Sequence, residues 1–153
     1  MAGTFDHEDL LALPLVANLA TCDPTGAPRN APVWYQWDQN ALFMLADDSS
    51  SSVRRIRDNP AVAVEIVEYD NPRGIMRHLG LRGKASIEPM DPTLFRRLLS
   101  RYLGPDESAW NAWFISEVAR IDDPAGRLIR LAPDSIFTNN VSFFRTGPRL
   151  AVG

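Results

Sequence analysis

Most stretches with strand character in this chain are joined to the next by only a few residues, and that spacing restricts the fold more than any other property of the sequence. Leu15 to Cys22 runs into the turn Asp23-Pro24-Thr25-Gly26, with proline at its second position and glycine closing it. Arg29 to Trp37 follows, then a second turn at Asp38 to Asn40 and the run Ala41 to Ala46. These three runs predict an antiparallel meander. Further on, Ala61 to Val67 alternates, with Val62, Val64 and Ile66 on one face and Ala63 and Glu65 on the other. The polar loop Glu68 to Gly74 leads to Ile75 to Ile87, where Gly80 and Gly83 suggest bulges or close backbone approach. Arg127 to Leu131 and Ser135 to Phe144, separated by Pro133-Asp134, complete six or seven strands. Parallel neighbours need crossovers of a dozen or more residues, so short connections favour antiparallel pairing and a small barrel.

Helices interrupt the strands at a few places. Asp6, Glu8 and Asp9 precede Leu10, Leu11 and Leu13, a short helix that ends before Pro14. Ser51 to Asp58 reads as a helix capped by the serine-rich segment and stopped by Asn59-Pro60. Asp91-Pro92 is a helix start, and Leu94, Phe95, Leu98, Leu99, Tyr102 and Leu103 recur at helical spacing up to Gly104-Pro105. Asp106 to Val118 is expected to form another helix, with Trp110, Trp113 and Phe114 on one side.

At 153 residues the chain supplies one domain, 1–153, with a core of its own. Cys22 is the only cysteine, which excludes an internal disulfide or a multi-cysteine metal site and suits a reducing cytoplasm. A net charge of -3 argues against a nucleic-acid surface, which needs surplus cations to displace counterions. No run approaches the ~20 apolar residues of a membrane span, and the acidic N-terminus does not resemble a secretory signal.

Familiar catalytic constellations are missing. His7 and His78 are far apart in sequence, and there is no His-x-x-x-His pair, phosphate loop or Gly-x-Ser-x-Gly elbow. Cys22 reads as a small buried hydrophobe. Trp34 and Trp37 lie three apart on a strand and point to opposite faces. The segment Ser49 to Ser52, opening a helix with Arg54 and Arg55 one turn in, is either an anion site or a capped loop with a basic helix face.

One family combines these elements in this order. Ala17-Asn18-Leu19-Ala20-Thr21, Asp23-Pro24-Thr25-Gly26-Ala27-Pro28-Arg29, Pro32-Val33-Trp34-Tyr35, Ala41-Leu42-Phe43-Met44, Val53 to Ala63 and Leu81-Arg82-Gly83-Lys84-Ala85 resemble the pyridoxamine 5'-phosphate oxidase-like split-barrel flavoproteins. The resemblance implies a mainly β fold with inserted helices: a six-stranded antiparallel split β-barrel, homodimeric, with a flavin in each of two grooves between subunits. It implies an FMN-dependent oxidoreductase acting on a small molecule. The alternatives are a deazaflavin-coenzyme-dependent reductase, as in a sibling branch, or a non-catalytic dimeric member that has lost tight phosphate binding.

Carried over by position, the strand bearing Asn30, Pro32, Val33 and Trp34 would run along the isoalloxazine, and Leu45, Ala46 and Asp47 would approach the ring and ribityl chain. The next helix start would hold the phosphate. There the Ser-Arg-Lys-like triplet usual in relatives falls on Ser50, Ser51 and Ser52, without its two basic side chains, leaving Arg55, and Arg54 beside it, as the cations within reach. Ser142-Phe143-Phe144-Arg145 offers no counterpart to the B6-substrate residues of the true oxidase, so pyridoxamine phosphate is not expected as substrate.

Overall fold

A computed structural model describes residues 3–142; Phe143, Phe144 and Arg145 lie outside them. The short connections build antiparallel pairs throughout. Eight strand segments, β1 (Ala17–Cys22), β2 (Pro28–Val33), β3 (Gln36–Asp38), β4 (Ala41–Asp47), β5 (Ala61–Asp70), β6 (Ile75–Pro89), β7 (Gly126–Leu131) and β8 (Ser135–Asn140), form one sheet in the order β2-β1-β5-β6-β7-β4-β3, with β8 also on β6. The helices are α1 (His7–Leu11), α2 (Ser51–Asp58), α3 (Pro92–Leu103) and α4 (Ala112–Ala119).

The eight segments trace six strand paths. β7 and β8 together flank β6 antiparallel, but Ala85 faces Leu131 while Arg82 faces Ser135, so one extra residue bulges between them. Gly83 lies opposite that bulge, where a Cβ would meet the Asp134 amide nitrogen at 3.1 Å and the Ala132 carbonyl oxygen at 3.3 Å. The close approach expected at this glycine is therefore real.

The second division corrects the expected meander. Arg29 to Trp37 is not one strand, and β2 does not pair with β4: β2 pairs with β1 in one half of the sheet, and β3 pairs with β4 in the other. The break falls at Trp34-Tyr35, because Tyr35 turns into the core and is fully buried, its hydroxyl donating to the Leu13 carbonyl at 2.7 Å. Its N–H donates to the Tyr102 hydroxyl oxygen at 3.2 Å instead of to a neighbouring strand.

Two packed clusters follow. The barrel interior is filled by Leu19, Leu42, Met44, Val64, Ile66, Leu79, Leu81 and Leu131, closed by Leu10 and Leu11 of α1 and by Val53 and Ile56 of α2. The alternation in β5 is observed as read: Val62, Val64 and Ile66 are buried while Glu65 is exposed. A second cluster joins Phe95, Leu98 and Leu99 of α3 and Trp110 to Trp34, Leu45 and Met90 on the strand side. Trp34 and Trp37 thus serve different clusters, but the break between them sets this rather than alternation along one strand.

Two further expectations change. Asp106 to Val118 is not one helix: a 3-10 turn at Glu107–Ala109 precedes α4, each with its own N-cap, Asp106 and Asn111. Trp110 consequently lies between them, buried and donating from Nε1 to the Gly104 carbonyl at 2.9 Å, whereas Trp113 is exposed; the two do not share a helix face. Cys22 is half-buried rather than buried, since it ends β1 on the side opposite the core residues Leu19 and Thr21. No helix among the described residues is long and apolar enough to cross a membrane.

Candidate functional site

The strand break and the α3–α4 excursion together create a groove of about 670 Å³ on the outside of the barrel. One wall is the end of β2 with Pro32, Val33 and Trp34; a second is the end of β4 with Leu45, Ala46 and Asp47. The apolar floor comes from Met90, Phe95 and Leu99, and α4 supplies the opposite wall through Trp113, Phe114 and Glu117. Size and apolar lining suit a small organic ligand. Among the described residues β2 is also an edge strand, so its outer backbone groups have no ladder partner there and are open to hydrogen bonding by a ligand lying alongside.

Trp34 is held by aromatic stacking. Its ring is parallel to Tyr102 at 4.6 Å and stacks on Phe114 at 5.6 Å, while Trp113 stands nearly perpendicular to Phe114 at 4.9 Å. Tyr102 is itself pinned, its hydroxyl donating to the Leu15 carbonyl at 2.7 Å and accepting the Tyr35 N–H. Burial pushes the Tyr102 hydroxyl above its ordinary pKa and that of Tyr35 up to about 12, so both remain protonated donors near neutral pH.

The polar end of the groove is formed by Asp47 to Ser49 and by Asp123 to Gly126. The Ser49 hydroxyl and N–H both donate to the Asp47 carboxylate and hold it below the usual carboxylate range. The backbone N–H of Ala125, aided by Arg120, does the same for Asp123. Asp48 fastens the two loops, with one oxygen on Arg57 and the other on Arg127, both at 2.8 Å, and its N–H donates to the Ala125 carbonyl. The three carboxylates at this end are thus each fixed by hydrogen bonds, and Asp48 and Asp123 are paired with arginines.

The sequence-derived candidates divide. Pro32, Val33, Trp34, Leu45, Ala46 and Asp47 converge on the groove although they come from β2 and β4, which do not pair. Asn30 does not: it lines a separate cavity on the outer sheet face with Asn18, Glu65, His78, Arg82 and Phe137. Ser50, Ser51 and Ser52 follow Ser49 but do not line the groove; Ser50 is the α2 N-cap, its hydroxyl accepting the Asp47 N–H at 3.2 Å. Arg55 turns onto the barrel and donates to Thr21 Oγ1 at 2.7 Å. Arg54 is exposed, with no ion pair among the described residues. Glu117 and Arg120 were missed, with no sequence pattern to mark them, whereas Trp113 and Phe114 stand out on one side of the expected helix without a role fixed by spacing.

Comparison with known proteins agrees with this architecture. The pyridoxamine 5'-phosphate oxidase family matches residues 5–140. An F420 reductase of known structure is 31% identical, covering 85% of this chain and 94% of its own, with a TM-score of 0.65. A conserved hypothetical protein from Mycobacterium tuberculosis superposes with a TM-score of 0.73 at 19% identity, covering 99% of this chain and 93% of its own. An FAD-binding protein from Mesorhizobium loti does so at 0.60 and 19% identity, covering 92% of this chain and 98% of its own. These last two show the fold alone. No curated protein sequence matched.

Proposed function

The chain belongs to the pyridoxamine 5'-phosphate oxidase family, and from that premise we propose that it is an oxidoreductase whose flavin-type cofactor, FMN, lies in the groove between β2, β4 and α4. The observation that carries this reading is the convergence of Pro32–Trp34 and Leu45–Asp47, two segments from different halves of the sheet, on one apolar groove bordered by an edge strand. Bound there, the cofactor would supply the redox chemistry. The chain's own part is to bind and orient. Apolar side chains exclude water from the ring, the free backbone edge of β2 meets its polar rim, and the stacked Tyr102–Trp34 pair keeps that edge in place.

The phosphate would sit at the start of α2, where helix N–H groups, the Ser51 and Ser52 hydroxyls and Arg54, which has no ion pair among the described residues, are the available donors. Neutral serines in place of two cations exchange charge-assisted bonds worth about 1.5–3 kcal/mol each for neutral ones worth about 0.5–1.5 kcal/mol. A second reading, a deazaflavin coenzyme in the same groove, is favoured by the 31% identity to an F420 reductase. We also propose a homodimer as the working unit.

Titration with FMN, riboflavin and a deazaflavin coenzyme, followed by ring fluorescence, separates these readings. Saturable micromolar binding of FMN supports the first; tighter binding of the deazaflavin supports the second. A protein that binds none of the three at high micromolar concentration overturns both and leaves a non-catalytic split barrel.

A further inference from the structure

α4 is anomalous in its packing. Its sequence, Ala-Trp-Phe-Ile-Ser-Glu-Val-Ala, is mostly apolar, yet none of its eight residues is buried; Trp113 is 60% exposed and Ile115 43%. A helix apolar around most of its circumference ordinarily has something covering it. Its groove-facing side carries Trp113 and Phe114, directly across from Pro32–Trp34 and Leu45–Asp47 in the same cavity. Of the four aromatic rings there, Phe95 belongs to the floor and Trp34 and Phe114 are already stacked on each other, whereas Trp113 touches the stack only through a perpendicular contact at 4.9 Å. The N–H of Trp113 is fixed by the Asn111 side chain at 2.9 Å, so the first turn of α4 is anchored where the indole borders the groove.

We infer that Trp113 is a ligand-contacting wall of the groove: Phe114 and Val118 already hold α4 on the second cluster, and a flat heteroaromatic ring lying along β2 stacks on the exposed indole and covers it. This rests on the reading of the groove as a flavin-type site, but it assigns a contact to a residue outside the strands and the α2 start that the family pattern supplies. Stacking of a heteroaromatic ring on a single side chain is worth enough to change affinity about tenfold or more.

The test is titration of wild type, W113A and W113F with FMN and with riboflavin, together with amide hydrogen exchange over 112–119 with and without FMN. Because Trp113 is exposed, W113A should retain the wild-type melting temperature. Expected are an about tenfold weakening for both ligands in W113A, recovery to within about threefold in W113F, and slowed exchange in α4 on binding. Equal affinity of wild type and W113A overturns the inference and leaves the groove reading standing. So does a change in oligomeric state in W113A without a change in affinity, which would make a second copy the occupant of this face. Absence of binding by wild type overturns the groove reading and this inference with it.

Discussion

Tyr35 shows what one buried polar group does to a strand. The run Val33-Trp34-Tyr35-Gln36-Trp37 has continuous β character, so nothing local announces a break; the break comes from a hydroxyl that reaches Leu13 and an N–H taken by Tyr102, 67 residues away. The separation of Trp34 from Trp37 is expected from alternation along one strand, and it arises from this break instead. Replacing Tyr35 with Phe should cost about 1 kcal/mol, read as a shift in the urea midpoint. The pH dependence has a definite sign. A phenol whose pKa rises from 10 to about 12 on folding keeps its proton in the native state, so its contribution is complete below pH 10 and lost as pH rises from 10 through 12. Wild type should lose stability steeply across that window and the Phe variant less so, measured as melting temperature against pH. At the other end of the groove, Arg54→Ala should weaken FMN but not riboflavin, whereas Arg55→Ala, which strips Thr21 of its partner, should lower the melting temperature with little effect on either ligand.

At the scale of elements, the positions with turn and cap chemistry were the most readable. Gly83 was marked as a point of close approach, and the bulge between β7 and β8 is what approaches it. Gly83→Ala should therefore destabilise by about 1–3 kcal/mol, because its Cβ meets two backbone atoms and the buried Leu131 side chain, which have little room to move; denaturant unfolding checks this. The division of the Asp106 to Val118 helix also had a signal. Asp106 and Asn111 are both strong N-cap residues, and each starts its own turn, accepting from the N–H of Ser108 and Trp113. The apolar periodicity of the tryptophans hid that second start. The clamp of Asp48 on Arg57 and Arg127 was not legible at all, since it joins a loop to residues 9 and 79 positions away.

The whole molecule explains why the groove lies outside the barrel. Side chains of six strand paths fill the interior, and a flavin-sized ligand has to use an exterior surface. The excursion between β6 and β7 provides a wall of the groove within one chain; the sequence marked its tryptophans, but spacing alone does not separate a wall from a core or dimer contact. The opposite face of the sheet exposes Ile136 and Phe137, the latter 55% exposed beside the cavity that holds Asn30. If a second copy covers it, light scattering should give twice the chain mass and Phe137→Glu should halve it. The central claim is that a flavin-type ring occupies the groove between β2, β4 and α4. Amide chemical-shift mapping on addition of FMN tests it most directly: the account predicts the largest shifts at Val33, Leu45, Ala46 and Trp113, and saturable binding that leaves these four unmoved would contradict it.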